Sequence, residues 1–226
     1  MKIVILAAMD KEVALLKGLL SNSVATRIED VDVLEGEIGR HSIVLAKCGI
    51  GKVNAALNTF KIVKHFSPDL VINSGVAGGA GNSRIGDLLV ADAVAYYDVW
   101  CGPGTEWGAA DGFPRVFTPC RKVIDIVRND VEAKNVVYGL IATGDKFVST
   151  AEEVAFVRSH FPDAIAVDME SAAIAQTCTS LGVEFNILRV VSDTPGEADN
   201  LSQYQNFWSE APAATFACIS AILNAL

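Results

Sequence analysis

Acidic residues recur just beyond the apolar runs of this chain: Glu12 after residues 2–9, Asp168 and Glu170 after 164–167, and Asp193 after 184–192. Two further segments in such places carry groups able to meet a ligand, the glycine-rich stretch 74–79 and Asp145-Lys146-Phe147-Val148. Carboxyl groups gathered where strands end are candidates for proton transfer, because burial and neighbouring charge shift their pKa values there. Taken one at a time they have a plain alternative. An acid in the first turn of a helix, such as Glu12 or Glu170, commonly does no more than offset the helix dipole.

The elements that would position these residues follow from hydrophobic periodicity. Residues 2–8 read as a buried strand, and Asp10 is placed to cap a helix with Val13, Leu16 and Leu20 on one face. Strands are expected near 31–37 and 42–48, then a helix whose stripe Val53, Ala56, Leu57, Phe60 and Val63 faces a core. Leu70-Val71-Ile72 is a further buried strand running into a glycine loop, and a longer one spans 87–97. Residues 100–118, rich in Gly, Pro and aromatics without a period, form an irregular excursion able to cover a site. Helices near 120–129, 151–159 and 170–181 then alternate with strands near 136–142, 164–167 and 184–192, and a final helix begins after Asn200. This alternation predicts an α/β fold: one domain over 1–226, with a mostly parallel, twisted, mixed sheet flanked by helices. In such sheets ligands bind beyond the carboxyl ends of the strands, where the acids lie.

Composition narrows the function. The 226 residues are 51% hydrophobic and 20% charged, the balance of a chain with a large core. A net charge of -9 opposes binding to phosphate backbones, so nucleic acid is not an expected partner. Five scattered cysteines without a CxxC pair and three separated histidines offer no metal site, and reduced thiols are expected in a cytoplasmic protein. Asp10-Lys11-Glu12 cuts the N-terminal apolar run too short for a signal peptide. The uncharged stretch 211–226 is shorter than a membrane span, and Pro212 interrupts its start, so it reads as a core-packing terminal helix.

Two nucleotide-binding motifs fail. Gly49-Ile50-Gly51-Lys52 has Ala46 at the first glycine position of a P-loop and Val53 at the magnesium-binding hydroxyl. The glycines of Gly75-Val76-Ala77-Gly78-Gly79 have the wrong spacing for a dinucleotide fingerprint, so no cofactor is expected. What those glycines do allow is close backbone approach to a ligand.

Seven segments in order do carry a resemblance: 5–13 (ILAAMDKEV), 49–53 (GIGKV), 73–79 (NSGVAGG), 85–87 (IGD), 143–147 (TGDKF), 166–173 (AVDMESAA) and 189–193 (RVVSD). Together they are similar to the 5′-methylthioadenosine/S-adenosylhomocysteine nucleosidases of the nucleoside phosphorylase superfamily, over nearly the whole chain. The resemblance implies hydrolysis of an adenine nucleoside, including 5′-deoxyadenosine, with Glu12 accepting a proton from water and Asp193 protonating N7 of the departing adenine. It further implies that Glu170 binds the ribose hydroxyls and that Arg189 orients Glu12 and the sugar side. Phe147 would stack on the base, the Val148 backbone would pair with its edge, and Met169 would pack under the ribose. Val76, Ala77, Gly78, Asp168 and Ser192 complete the implied substrate-binding set, and a homodimer is expected, with residues of 97–118 beside a neighbouring site. The chemistry agrees with two acids in opposite roles: breaking the bond builds positive charge on the ribosyl ring and negative charge on the base.

This chain departs from the family pattern at four places. Val76 stands where a serine is common, Tyr97 where a histidine is, Asp168 where a glutamate is, and Cys101-Gly102-Pro103-Gly104 replaces an aromatic-bearing stretch of the 5′-tail pocket. Three rival functions remain open: a phosphate-dependent phosphorylase, a nucleosidase for aminodeoxyfutalosine, and an inactive nucleoside-binding module. Glu12 and Val76 disfavour the first by placing a charge that repels phosphate and removing a donor, and joint retention of Glu12, Glu170 and Asp193 argues against the last.

Overall fold

The computed structural model describes residues 1–130, 135–210 and 213–226. Among these residues nine strands form one sheet: β1 (Lys2–Ala7), β2 (Ser21–Ile28), β3 (Val31–Ile38), β4 (His41–Lys47), β5 (Leu70–Gly79), β6 (Leu88–Tyr96), β7 (Val136–Thr143), β8 (Ala164–Asp168) and β9 (Glu184–Asp193). Seven helices accompany them: α1 (Asp10–Lys17), α2 (Lys52–Phe66), α3 (Arg121–Asp130), α4 (Ala151–His160), α5 (Ser171–Leu181), α6 (Asn200–Glu210) and α7 (Ala213–Ala225).

The strand order is β2-β3-β4-β1-β5-β8-β7-β6-β9, and β9 also pairs with β5 along almost its whole length. That last pairing closes β5, β8, β7, β6 and β9 into a ring, so this part of the sheet is barrel-like. The pairings β1–β4, β1–β5, β5–β9, β6–β7 and β7–β8 are parallel, whereas β2–β3, β3–β4, β5–β8 and β6–β9 are antiparallel. The sheet is therefore mixed, as expected.

Side chains alternate between two cores along each central strand, as a period of two requires. Val4 and Leu6 join the cluster under α2 and α5, while Ile3, Ile5 and Ala7 join the cluster that holds Leu16 of α1, Val123 of α3 and Ile219 of α7. The sheet is consequently covered on both faces.

Five expectations needed correction. β2 was missed because its sequence SNSVATRI is polar and its residues, Ile28 apart, are exposed on a sheet edge, so it carries no apolar alternation. The glycine stretch 74–79 is strand, not loop, because β9 supplies a ladder partner to every residue of β5 from Leu70 to Gly78. Asp10 is the first helical residue and Met9 the N-cap of α1. Most of the apolar stripe of α2 faces outward: Val53, Leu57 and Phe60 are 67%, 55% and 49% exposed and Ala56 is half-buried, whereas Val63 of that stripe is buried together with Ala55, Thr59, Ile62 and Phe66. At the C-terminus two helices stand where one was expected; Pro212, expected to interrupt that end, lies outside the described residues. Cys218, Ile219, Ile222 and Leu223 of α7 are buried, as a core-packing terminal helix requires. Among the described residues no helix is long and apolar enough to cross a membrane.

Candidate active site

The carboxyl ends of β1, β5, β8 and β9 converge on one cavity, open at its mouth, with about 710 Å³ of empty space counting the solvent at that mouth. Glu12, Val76, Ala77, Gly78, Phe147, Val148, Asp168, Met169, Glu170, Ser192 and Asp193 all line it. Eleven of the twelve residues expected at the site thus meet in space.

Glu12 projects from the first turn of α1, where it does cap the helix: the N–H groups of Ala8 and Met9 donate to Oε2 at 2.8 and 3.0 Å. It also reaches across to β5, where the Val76 N–H donates to Oε1 at 3.1 Å. Gly75 makes that approach possible, since a Cβ there would lie 2.6 Å from Oε1. Burial nevertheless pushes the Glu12 pKa above its ordinary value, outweighing the Arg189 charge and the three N–H donors.

Glu170 is the N-cap residue of α5 but its side chain does not cap that helix. The carboxylate crosses instead to the α2 end, where Oε1 accepts the Gly51 N–H at 2.9 Å. Burial, reinforced by the neighbouring Asp168 charge, pushes its pKa up to about 7. The Gly51 loop is held by Lys52, whose N–H donates to Asp145 and whose ammonium pairs with Asp98 at 2.7 Å.

Asp193 ends β9. Its Oδ1 is held by the Ser192 hydroxyl and its Oδ2 by the Asn200 side-chain amide. Burial raises its pKa against both of those donors. Gly78 is paired with Asp193 across β5 and β9, and a Cβ on it would lie 2.7 Å from Pro195.

Arg189 is the expected residue that does not reach the cavity. Its guanidinium is 1% exposed and donates to Asp168 Oδ2 at 2.9 and 3.2 Å, to Ser171 Oγ at 2.9 Å and to Asn73 Oδ1. It makes no hydrogen bond to Glu12 and acts on it only through its charge. Asp168, expected to bind substrate, spends its oxygens inside this network, accepting also from the Thr143 hydroxyl at 2.6 Å and the Ser171 hydroxyl. A carboxylate offers about four acceptor positions, so Asp168 and Arg189 brace the β8–α5 junction behind Met169 and Glu170.

On the side of Phe147 the cavity has different chemistry. Phe147 is 41% exposed, with its ring edge-to-face against Tyr204 of α6 at 5.6 Å. Val148 is buried, yet neither its N–H nor its C=O finds a partner among the described residues. Buried backbone groups are nearly always paired, so this pair is free to meet a ligand edge. Lys146, the one basic side chain of the lining among the described residues, pairs its ammonium with Glu153.

None of residues 97–118 lines the cavity of this chain. Tyr97 is buried beneath the 144–148 loop, with its ring against Gly144 and its hydroxyl 3.3 Å from the Lys146 carbonyl. Sequence reasoning missed Ile50, Tyr204 and Asn200. Tyr204 and Asn200 lie on α6 with no motif around them, and only the chain reversal after Asp193 brings them back; Ile50 sat inside a quoted motif without being assigned.

Fold and site together define a member of the phosphorylase superfamily, whose family model matches residues 2–224. A 5′-methylthioadenosine/S-adenosylhomocysteine nucleosidase of an Exiguobacterium species is 40% identical over 207 residues, which are 89% of each chain. The nucleosidase of that name from Neisseria meningitidis, solved in complex with methylthio-immucillin-A, superposes with a TM-score of 0.94 at 36% identity, over 100% of this chain and 99% of its own. The Colwellia psychrerythraea nucleosidase, solved in complex with adenine, gives 0.93 at 33% identity, over 99% and 95%. The chain belongs to the family of 5′-methylthioadenosine/S-adenosylhomocysteine nucleosidases.

Proposed function

We propose that the chain hydrolyses the N-glycosidic bond of 5′-methylthioadenosine, S-adenosylhomocysteine and 5′-deoxyadenosine, releasing adenine. The observation that carries hydrolysis is the charge of the cavity wall: Glu12, Glu170 and Asp193 face it, Lys146 is neutralised by Glu153, and Arg189 is spent on Asp168. Among the described residues a phosphate nucleophile would meet carboxylates and no unpaired basic side chain of the cavity lining, whereas water needs only a base.

Glu12 takes a proton from water as the oxygen bonds to C1′. The bond from C1′ to N9 breaks, its electron pair moves into the purine, and Asp193 gives its proton to N7. Glu170 accepts from the ribose hydroxyls, with Met169 beneath the sugar. Phe147 covers the base, the Val148 backbone pairs with its edge, and Ser192 orients Asp193, while Val76, Ala77 and Gly78 form the wall beside them. Arg189 and Asp168 are positioning residues.

Adenine release from 5′-methylthioadenosine is therefore expected without added phosphate, metal or cofactor. Assay of that compound, adenosylhomocysteine, 5′-deoxyadenosine and aminodeoxyfutalosine, each with and without phosphate, tests this. Strict phosphate dependence, with 5-methylthioribose 1-phosphate as the sugar product from 5′-methylthioadenosine, would overturn hydrolysis. Preference for aminodeoxyfutalosine would reassign the substrate.

We further propose that residues 1–226 act as one domain, in the cytoplasm, and as a homodimer. The outward stripe Val53, Leu57 and Phe60, with Ile50 exposed at the cavity and Trp100 exposed in the excursion, is apolar surface suited to a second copy. Light scattering at micromolar concentration should give the dimer mass, and a monomer would reject this arrangement.

A further inference from the structure

Asn200 belongs to none of the motifs, yet it is the residue that α6 delivers to Asp193. It is the first residue of that helix and is 3% exposed. Its amide Nδ2 donates to Asp193 Oδ2, while its own Oδ1 is buried without a hydrogen-bond partner among the described residues. Leaving an amide oxygen buried and unpaired is costly, so the contact that Asn200 does make, from Nδ2 to Asp193, is the one its amide retains. The segment that presents it is clamped: Gln203 accepts from the Thr194 N–H at 2.8 Å and donates to Glu197 and Asp199 at 2.8 and 2.9 Å. Asn200 is thereby held against Asp193 from outside β9.

The two partners of Asp193 are not equivalent. The Ser192 hydroxyl lies between Asp193 Oδ1 and the Ala77 carbonyl, 3.3 Å away, so it can turn its proton to either. The Asn200 N–H can only donate. Other charged groups around the cavity are Glu12 on α1, Lys146 in the β7–α4 loop, and Asp168 and Glu170 at the β8–α5 junction, and none forms an ion pair with Asp193. Glu197 and Asp199 in the approach to α6 are taken up by Gln203.

We infer that Asn200 is a positioning residue for the leaving-group acid: it holds Oδ2 as the acceptor and stabilises the carboxylate left when Asp193 has given its proton to the base. This rests on the proposed hydrolysis and deepens it. In the step itself the Asp193 O–H bond breaks, the N7–H bond forms, and the negative charge left on the carboxyl group is met by the Asn200 N–H already in place. Without that donor Asp193 is a weaker acid. With an anion there instead, it is weaker still.

The test is the pH profile of kcat/KM for adenine release from 5′-methylthioadenosine by wild type, Asn200→Ala and the near-isosteric Asn200→Asp. Asn200→Ala should move the alkaline limb up by about one pH unit and lower kcat about tenfold, with KM changed less than about threefold. Asn200→Asp should move the limb further in the same direction. A role confined to packing α6 would lower thermal stability and leave the limb in place, so an unmoved limb in either folded variant overturns the inference. If neither variant is active enough for kinetics, the carboxyl 13C resonance of Asp193, assigned with Asp193→Asn, reads the same shift: upward titration sustains the role and an unchanged one rejects it. A wild-type protein that releases no adenine would sink the hydrolase reading instead, while the 13C titration would still judge the contact.

Discussion

Asp193→Asn is expected to lower turnover by ~100 to 10,000-fold, the loss typical of a missing general acid. The substitution suits the site unusually well. An asparagine can keep both contacts by turning its Oδ1 to the Asn200 N–H and its Nδ2 to Ser192 Oγ, whose hydroxyl proton then goes to the Ala77 carbonyl. It also removes a carboxyl group that burial keeps above its ordinary pKa, so folding should not suffer. Thermal stability close to wild type, with 5′-methylthioadenosine affinity measured apart from turnover, makes the rate interpretable. A folded, ligand-competent variant within a few-fold of wild type would remove Asp193 from the mechanism.

Glu12→Gln should lose a comparable ~100 to 10,000-fold in turnover, because an amide cannot take the proton from water. Here a stability cost accompanies the kinetic one. Three N–H groups converge on the Glu12 carboxylate, on both oxygens, and a glutamine must turn its NH2 toward at least one of them. Each hydrogen bond lost that way costs about 1 to 3 kcal/mol, or roughly 2 to 12 °C in Tm for a chain of this size. The wild-type pH profile carries the same signature. Glu12 must be ionised to act as base and Glu170 to bind hydroxyls. Both pKa values are pushed upward, Glu170 to about 7, so the acid limb of kcat/KM should lie well above the 4.5 of an ordinary glutamate. Undiminished activity in a folded Glu12→Gln protein, or an acid limb near 4.5, would move the base elsewhere.

What could be read from the sequence was local, or carried by the order of its motifs. The alternation of β and α elements from residue 120 to 193 is written in apolar periodicity, and the structure keeps it almost residue for residue. Glu12, Glu170 and Asp193 were legible because strand ends and helix starts leave marks within a few neighbouring positions. The outward face of α2 was not. Val53, Leu57 and Phe60 have the spacing of a core stripe, and periodicity cannot say whether that stripe is covered by this chain or by another molecule. Nor was β2, whose residues mostly face solvent and so have no apolar pattern to show.

Sequence by itself determined which residues can do proton chemistry, the class of fold that would collect them, and the family resemblance that gave them roles. Tertiary structure alone decided what each group does with its hydrogen bonds, because those are contacts between positions far apart in the chain. Glu12 meets Val76 at a separation of 64 residues and Glu170 meets Gly51 at 119, so no local pattern encodes either. Tertiary packing likewise turned Arg189 from the base to Asp168 and Asn73 and gave Asp168 to Arg189 and Thr143, while the chain reversal after β9 brought Asn200 back to Asp193. Their hydrogen bonds depend on directions within an ångström or so, and only the packed sheet, closed on itself by β9 and covered on both faces, sets those directions.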